Sequence, residues 1–137
     1  MSEPKDLRGA DLSGRNFIQA KMFGADLTES DLRAANLHSA ILFDANLTNA
    51  HMTDADLSNA DLIGADLTNA HLTSATLHGA DLTGADLSNA DLIDTDLTNA
   101  NLTDANLHGA DLSNADLTEA KLDNVKWPKG WKLVRDE

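Results

Sequence analysis

The chain has no cysteine and no tyrosine, and aromatic residues fill only 4% of its 137 positions. Without cysteine, structural disulfides, thiolate catalysis and Cys-ligated zinc or iron–sulfur sites are excluded. No apolar run approaches the roughly 18 residues of a membrane span. Met1-Ser2-Glu3-Pro4-Lys5 lacks the apolar core of a signal peptide, so a cytoplasmic protein is expected. Basic residues are missing from the whole middle of the chain: residues 34–120 hold no Lys or Arg, against thirteen Asp and one Glu. All ten basic residues lie in 1–33 or 121–137, and the formal net charge is −13. Such a chain repels nucleic acid and anionic lipid, so neither direct nucleic-acid binding nor membrane binding is expected. The acidity has two readings: it maintains solubility, or it presents an anionic surface to a basic partner.

What is present is a repeat. From Leu7 to Leu122 every fifth residue is Leu, Phe or Met, giving 24 consecutive units without an insertion. Two residues before each stands Ala in nearly every unit, and Asp or Asn usually lies between, so the unit reads Ala-(Asp/Asn)-Leu-x-x. Residues 55–84 and 85–114 agree at 23 of 30 positions, the mark of a duplicated six-unit block. A period of five gives no apolar face on a helix. The remaining positions, filled by Asp, Asn, Thr, Ser and Gly, are mediocre or poor helix formers. On a straight strand, successive Ala/Leu pairs would face opposite sides. All of them reach one core only if the chain bends after every unit, and the small polar residues and Gly at the last unit position suit such bends. The expected outcome is an all-β solenoid: a coil of short strands with Ala and Leu inside, stacked by backbone ladders.

This pattern resembles the pentapeptide-repeat family, over about 120 of the 137 residues. The resemblance implies a right-handed quadrilateral β-helix with four units per coil, hence about six four-sided coils and a body roughly 29 Å long at the ~4.8 Å strand spacing. The expected organisation is an N-terminal tail at 1–4, the β-helix at 5–124, and a C-terminal cap and tail at 125–137. Members of such a family do not share one function. One branch, the Qnr-type quinolone-resistance proteins, is understood to imitate DNA on a type II topoisomerase. That branch carries projecting functional loops, and no loop residue can be transferred to a chain without insertions.

Sorting outward residues by a twenty-residue coil brings out three candidate surfaces. Phe23, Phe43 and Ile63 follow central residues at twenty-residue spacing, with Ile41 on the same face. Such an apolar stripe reads as a homodimer seam or a partner site, against a reading as scattered surface hydrophobics. Asp66 and Asp86 fall in one acidic column, Asp91 and Asp111 in a second, Asp96 and Asp116 in a third. Like charges one coil apart are expected to raise one another's pKa, and the columns could imitate phosphates. His51 and His71 stack on one face, where an imidazole pair near Asp31, Asp54 and Asp91 could hold a divalent metal. The alternative is surface histidine drawn from the same polar pool as Thr and Asn.

The open ends of a solenoid need caps. Trp127 is expected to plug the C-terminal end, with Trp131 folding back over it after Pro128-Lys129-Gly130. Arg15 stands where Ala is expected, which predicts a distorted first coil with the guanidinium bonding free carbonyls at the open end. No catalytic residue, cofactor or metal is assigned. Ser, Thr, His and Asp are so common that triad-like proximity arises by chance, there is no glycine-rich phosphate loop, and a regular solenoid offers no deep pocket. The expectation is a non-catalytic acidic module binding a protein partner or itself. The alternatives are a DNA-mimicking inhibitor or protector of a type II topoisomerase, and a metal-dependent activity at the histidine pair.

Overall fold

One five-residue conformation repeats along the chain in a computed structural model that describes residues 5–132; the remainder of the expected tails, 1–4 and 133–137, lies outside the described residues. The residue before each central Leu makes a single parallel bridge to the residue twenty further on, from Asp6↔Asp26 through Asn106↔Lys126. An offset of twenty is four units, so each coil holds four, and the coils stack in register. The short strands expected between bends are reduced to these isolated one-residue bridges. With a two-residue turn in every five, no room is left for longer pairing.

The unit at residues 47–51 shows why the conformation repeats. Leu47 N–H donates to Asp66 O (2.7 Å), Asn49 N–H to Thr68 O (3.0 Å) and His51 N–H to Ser30 O (2.9 Å), which tie one coil to its neighbours on both sides. Ala50 N–H donates back to Leu47 O (3.0 Å) and closes a β-turn. The second turn residue has positive φ in every unit from Gly9 to Asn124. That is the type II pattern, which favours Gly and Asn. Asn at seven of these positions and Asp at four tolerate the left-handed region well. Ala34, at φ 57°, is the poorest fit, with neither a missing Cβ nor a polar side chain to offset the strain.

Ala and the central residue point inward throughout. Every central residue from Leu27 to Leu112 is 2% exposed or less, and the intervening Ala residues are buried as well. Ser30 and Thr95 replace Ala in the core: Thr95 Oγ1 donates to Leu72 O at 2.9 Å, whereas Ser30 Oγ has no partner among the described residues. Toward the ends the core opens, and Leu7, Phe17, Leu117, Leu122, Val125 and Trp127 are only partly buried against it. The distortion expected at Arg15 does not occur. Asn36 N–H still donates to Arg15 O (2.9 Å), and the exposed guanidinium makes no hydrogen bond among the described residues. The ladder uses only the backbone of residue 15, and its side chain is exposed.

Because the core is one file of interdigitated side chains, a charge within it has nowhere to go. Leu67→Asp should abolish cooperative folding or cost more than about 4 kcal/mol. Thr68→Ala, which loses only a part-buried hydroxyl bond to Asp66, should cost about 1 kcal/mol or less. Urea denaturation followed by circular dichroism distinguishes the two, and comparable losses would mean that Leu67 is not sealed in the core.

Candidate functional site

The acidic columns are built from turn chemistry. Four of the five backbone N–H groups in a unit are bonded to backbone carbonyls; the fifth belongs to the residue after the central Leu. In all eighteen units where the bridge residue is Asp or Asn, its Oδ1 accepts that N–H, two residues on, as in Thr68→Asp66 (3.0 Å), Ser88→Asp86 (2.9 Å) and Thr98→Asp96 (2.9 Å). Where that residue is Ser or Thr, its hydroxyl commonly donates to the same oxygen, as Thr118 does to Asp116 at 2.6 Å. These are Asx turns. Asn101 does the same for Thr103, so the carboxylate charge is not needed for the geometry. The signal for these turns is present in the sequence as Asp-Leu-Ser/Thr, with acceptor and donor two apart.

The columns form as the spacing implies: Asp66↔Asp86, Asp91↔Asp111 and Asp96↔Asp116 are bridge pairs. The expected upward pKa shift from stacking does not prevail at Asp6, Asp11, Asp31, Asp111 and Asp116, all of which shift downward. Asp111 and Asp116 lie below the ordinary carboxylate value because the Ser113 and Thr118 hydroxyls and backbone N–H groups bond the charged form. At Asp11 the Ser13 hydroxyl and N–H outweigh the like charge of Asp31. Asp6 and Asp31 are held at about 2 by the hydrogen-bonded guanidinium groups of Arg8 and Arg33. These two Arg–Asp pairs, at 2.8 and 2.6 Å, were not anticipated from the sequence.

His51 and His71 are bridge partners with parallel rings, centroids 4.8 Å apart and 5° between planes. Asp31 and Asp91 adjoin them in the same column. Among the described residues no group of three or more His, Asp and Glu side chains is arranged to hold a metal ion. His38 and His78 instead meet hydroxyls of the next coil, at Ser58 Oγ (2.9 Å) and Thr98 Oγ1 (2.7 Å).

The apolar stripe is a physical cluster. The Phe23 and Phe43 rings stack with centroids 5.4 Å apart and 8° between planes. Phe23, Phe43 and Ile63 are 40%, 38% and 42% exposed, and Ile41 is half-buried in the adjoining column between Lys21 and Asp61. At the C-terminal end Trp127 packs against the last core residues and Pro128 is buried. Trp131 stays 47% exposed, its N–H donating to Pro128 O at 3.0 Å.

A sequence profile described as pentapeptide repeats matches residues 6–38, 40–79, 50–89 and 90–126, in eight copies. The chain belongs to the pentapeptide-repeat family. Its solved relatives include HetL from the cyanobacterium Nostoc, a protein involved in regulating heterocyst differentiation: 34% identity over 92% of this chain, TM-score 0.62. This chain spans 65% of HetL. Rfr23 from the cyanobacterium Cyanothece is 31% identical over 90% of this chain and 88% of its own, TM-score 0.60. A trypsin-treated variant of QnrB1, a plasmid-mediated fluoroquinolone resistance protein, is 18% identical over 90% of this chain and 73% of its own, TM-score 0.55, a likeness of fold alone. No curated protein matches this chain. Family membership implies the right-handed quadrilateral β-helix, and pentapeptide-repeat proteins are in general non-catalytic structural or interaction modules.

Two outcomes follow from the turn chemistry. Asp86→Asn should leave stability within a few tenths of a kcal/mol, whereas Asp86→Ala should cost about 1 kcal/mol, because only Ala leaves the Ser88 N–H without its acceptor. Equal effects in thermal denaturation would remove the Asx role. Second, carboxylates held below their unfolded value stabilise the fold above that value, and this contribution is lost as pH falls through the folded one. Asp6 and Asp31, with folded values of about 2 against 3.8, therefore place that loss between about pH 4 and pH 2. In an NMR titration Arg33→Ala should move Asp31 upward, toward 3.8; an unmoved Asp31 would deny Arg33 its part.

Proposed function

We propose that this protein is a non-catalytic interaction module: a right-handed quadrilateral β-helix of about six coils that engages a protein partner or itself through the Phe23/Ile41/Phe43/Ile63 face. The observation that carries this reading is the exposed Phe23–Phe43 ring stack, continued by Ile63. Later coils of the same face present Thr83, Thr103 and Asp123 at the equivalent position, so on this face the apolar residues keep to one half, while Ile18 and Trp131 are isolated exposed apolar residues elsewhere. Contiguous exposed apolar surface of this kind, rimmed by polar residues, is typical of interaction sites.

The stripe also departs from the repeat where departure is costly. Lys21 and Ile41 occupy bridge positions that in eighteen other units hold Asp or Asn, so the Phe23 and Phe43 N–H groups, like those after His51, His71 and Thr76, have no Asx acceptor. Two turns thus forgo a hydrogen bond worth about 1 kcal/mol each in the units that bear the aromatic pair.

A second reading, a DNA mimic acting on a type II topoisomerase, is supported by the stacked Asp pairs in three columns. The Asx bonds engage Oδ1, leaving Oδ2 as a potential anionic contact in the same units. It is weakened by the Asn residues that interrupt the columns and by the structural work the Asp residues already perform.

Phe23→Asp and Phe43→Asp should each reduce partner capture by the immobilised protein at least about tenfold, as loss of a central aromatic anchor does. The circular dichroism spectrum should stay unchanged. Undiminished capture and self-association in both variants would sink the stripe as the interface. Salt-sensitive inhibition of gyrase supercoiling, unaffected by these substitutions but lost on neutralising Asp66 and Asp86, would favour the mimic instead.

A further inference from the structure

The partner best matched to the stripe is a second copy of the same chain, a conclusion that rests on the stripe being an interface. The two columns involved read Lys21, Ile41, Asp61 and Phe23, Phe43, Ile63, one residue of each per coil. In each column the middle residue is apolar. In the first, the outer residues carry opposite charge; in the second, both are apolar. A two-fold axis perpendicular to the rod, lying in the interface and passing through Ile41 and Phe43, reverses the coil order and leaves the lateral order unchanged. Under that operation Lys21 faces Asp61 of the other copy twice over. Phe23 faces Ile63, while Ile41 and Phe43 each face themselves. An isologous interface needs this self-complementarity, and no substitution is required to obtain it. Placing the rods parallel, with the axis along them, pairs coil with coil at the same level. Lys21 then lies beside Lys21 or against Phe23, and the charge match is lost.

The groups involved are available. Among the described residues Lys21 makes no ion pair and is exposed. Asp61 uses Oδ1 for the Ile63 N–H (3.2 Å), leaving Oδ2 for an ammonium group. A quarter of the 7199 Å² surface is roughly 1,800 Å², and the half of that face bearing the stripe roughly 900 Å², close to the ~800 Å² per partner of a standard interface. One adverse group lies near the axis: Asp44, beside Phe43, would approach its own symmetry mate. Its carboxylate leans toward the next coil over Gly64, filling space that a side chain at Gly64 would need, and so lies displaced from the axis.

We infer that the protein forms an antiparallel two-fold dimer through the Phe23/Phe43/Ile63 stripe, held in register by reciprocal Lys21–Asp61 pairs. The test is sedimentation equilibrium of the full chain. The native protein should dimerise. Lys21→Asp alone and Asp61→Lys alone should each weaken association about tenfold or more by juxtaposing like charges. An equimolar mixture of the two variants should recover a heterodimer near native affinity, because each then supplies the complement of the other. Asp44→Asn should tighten association. Phe43→Asp should give a monomer with an unaltered circular dichroism spectrum. A native protein that stays monomeric up to about 1 mM overturns the dimer while leaving capture of a different partner to be judged by the Phe23 and Phe43 variants. A dimer unaffected by Phe43→Asp overturns both the dimer geometry and the stripe. A dimer that is lost in Phe43→Asp but not rescued in the charge-swapped mixture overturns the antiparallel register.

Discussion

Every feature of this protein depends on closing one coil in four five-residue units while leaving no inter-coil backbone group unpaired. The ladder bonds join residues 19 or 21 apart, so the path around the coil has no slack. A single inserted residue would shift every later partner by one position and turn the inward file outward. The price is a left-handed residue in each of the 24 units, seventeen of them not glycine. The strain is small at the eleven Asn and Asp positions, which tolerate the left-handed region. The same repetition makes stability a nearest-neighbour property: each coil is held by the coils before and after it. The ends are accordingly the weakest points, and Leu7, Phe17, Leu122 and Val125 are only partly buried there.

Much of this was legible in the sequence. The unbroken Leu, Phe or Met at every fifth position fixed the inward file, and the twenty-residue spacing of Phe23, Phe43 and Ile63 anticipated the coil length. Less visible was how little strand there would be, because pairing length depends on turn geometry and not on which residues face inward. Arg15 misled for a related reason. An arginine at an inward position reads as a defect, but the backbone ladder is indifferent to the side chain, which here is exposed. The histidines were legible as a pair by spacing alone; that their rings lie parallel, and not converging on a common point, is a matter of side-chain torsion that no spacing encodes.

The Asp residues are the most instructive misreading. Composition presents them as charge, and charge invites thoughts of partners. The structure assigns each bridge Asp a backbone N–H that would otherwise lack an acceptor, a requirement that Asn16, Asn36, Asn46, Asn101 and Asn106 meet equally well. The acidity of the middle coils is thus partly a by-product of turn chemistry. It still has physical consequences, since it sets the net charge and repels polyanions. The presence of Asp at a bridge position is therefore weak evidence of a binding role.

Functional information in such a protein lies where the repeat is broken without being forced to break. At the bridge positions Asp and Asn give way to Lys21, Ile41, His51, His71, Thr76, Lys121 and Lys126. Lys121 and Lys126 sit in the last described units, where lysine on a strand edge disfavours pairing with another chain. His51 and His71 are spent on each other. Lys21 and Ile41 are adjacent in the ladder and carry the two stacked phenylalanines on the next residue but one. Both give up the turn acceptor, both flank exposed aromatic surface, and the return of Asp61 in the following coil restores the acceptor while completing a column with opposite charges at its ends. These features coincide on one half of one face, and the proposed interface would use all of them.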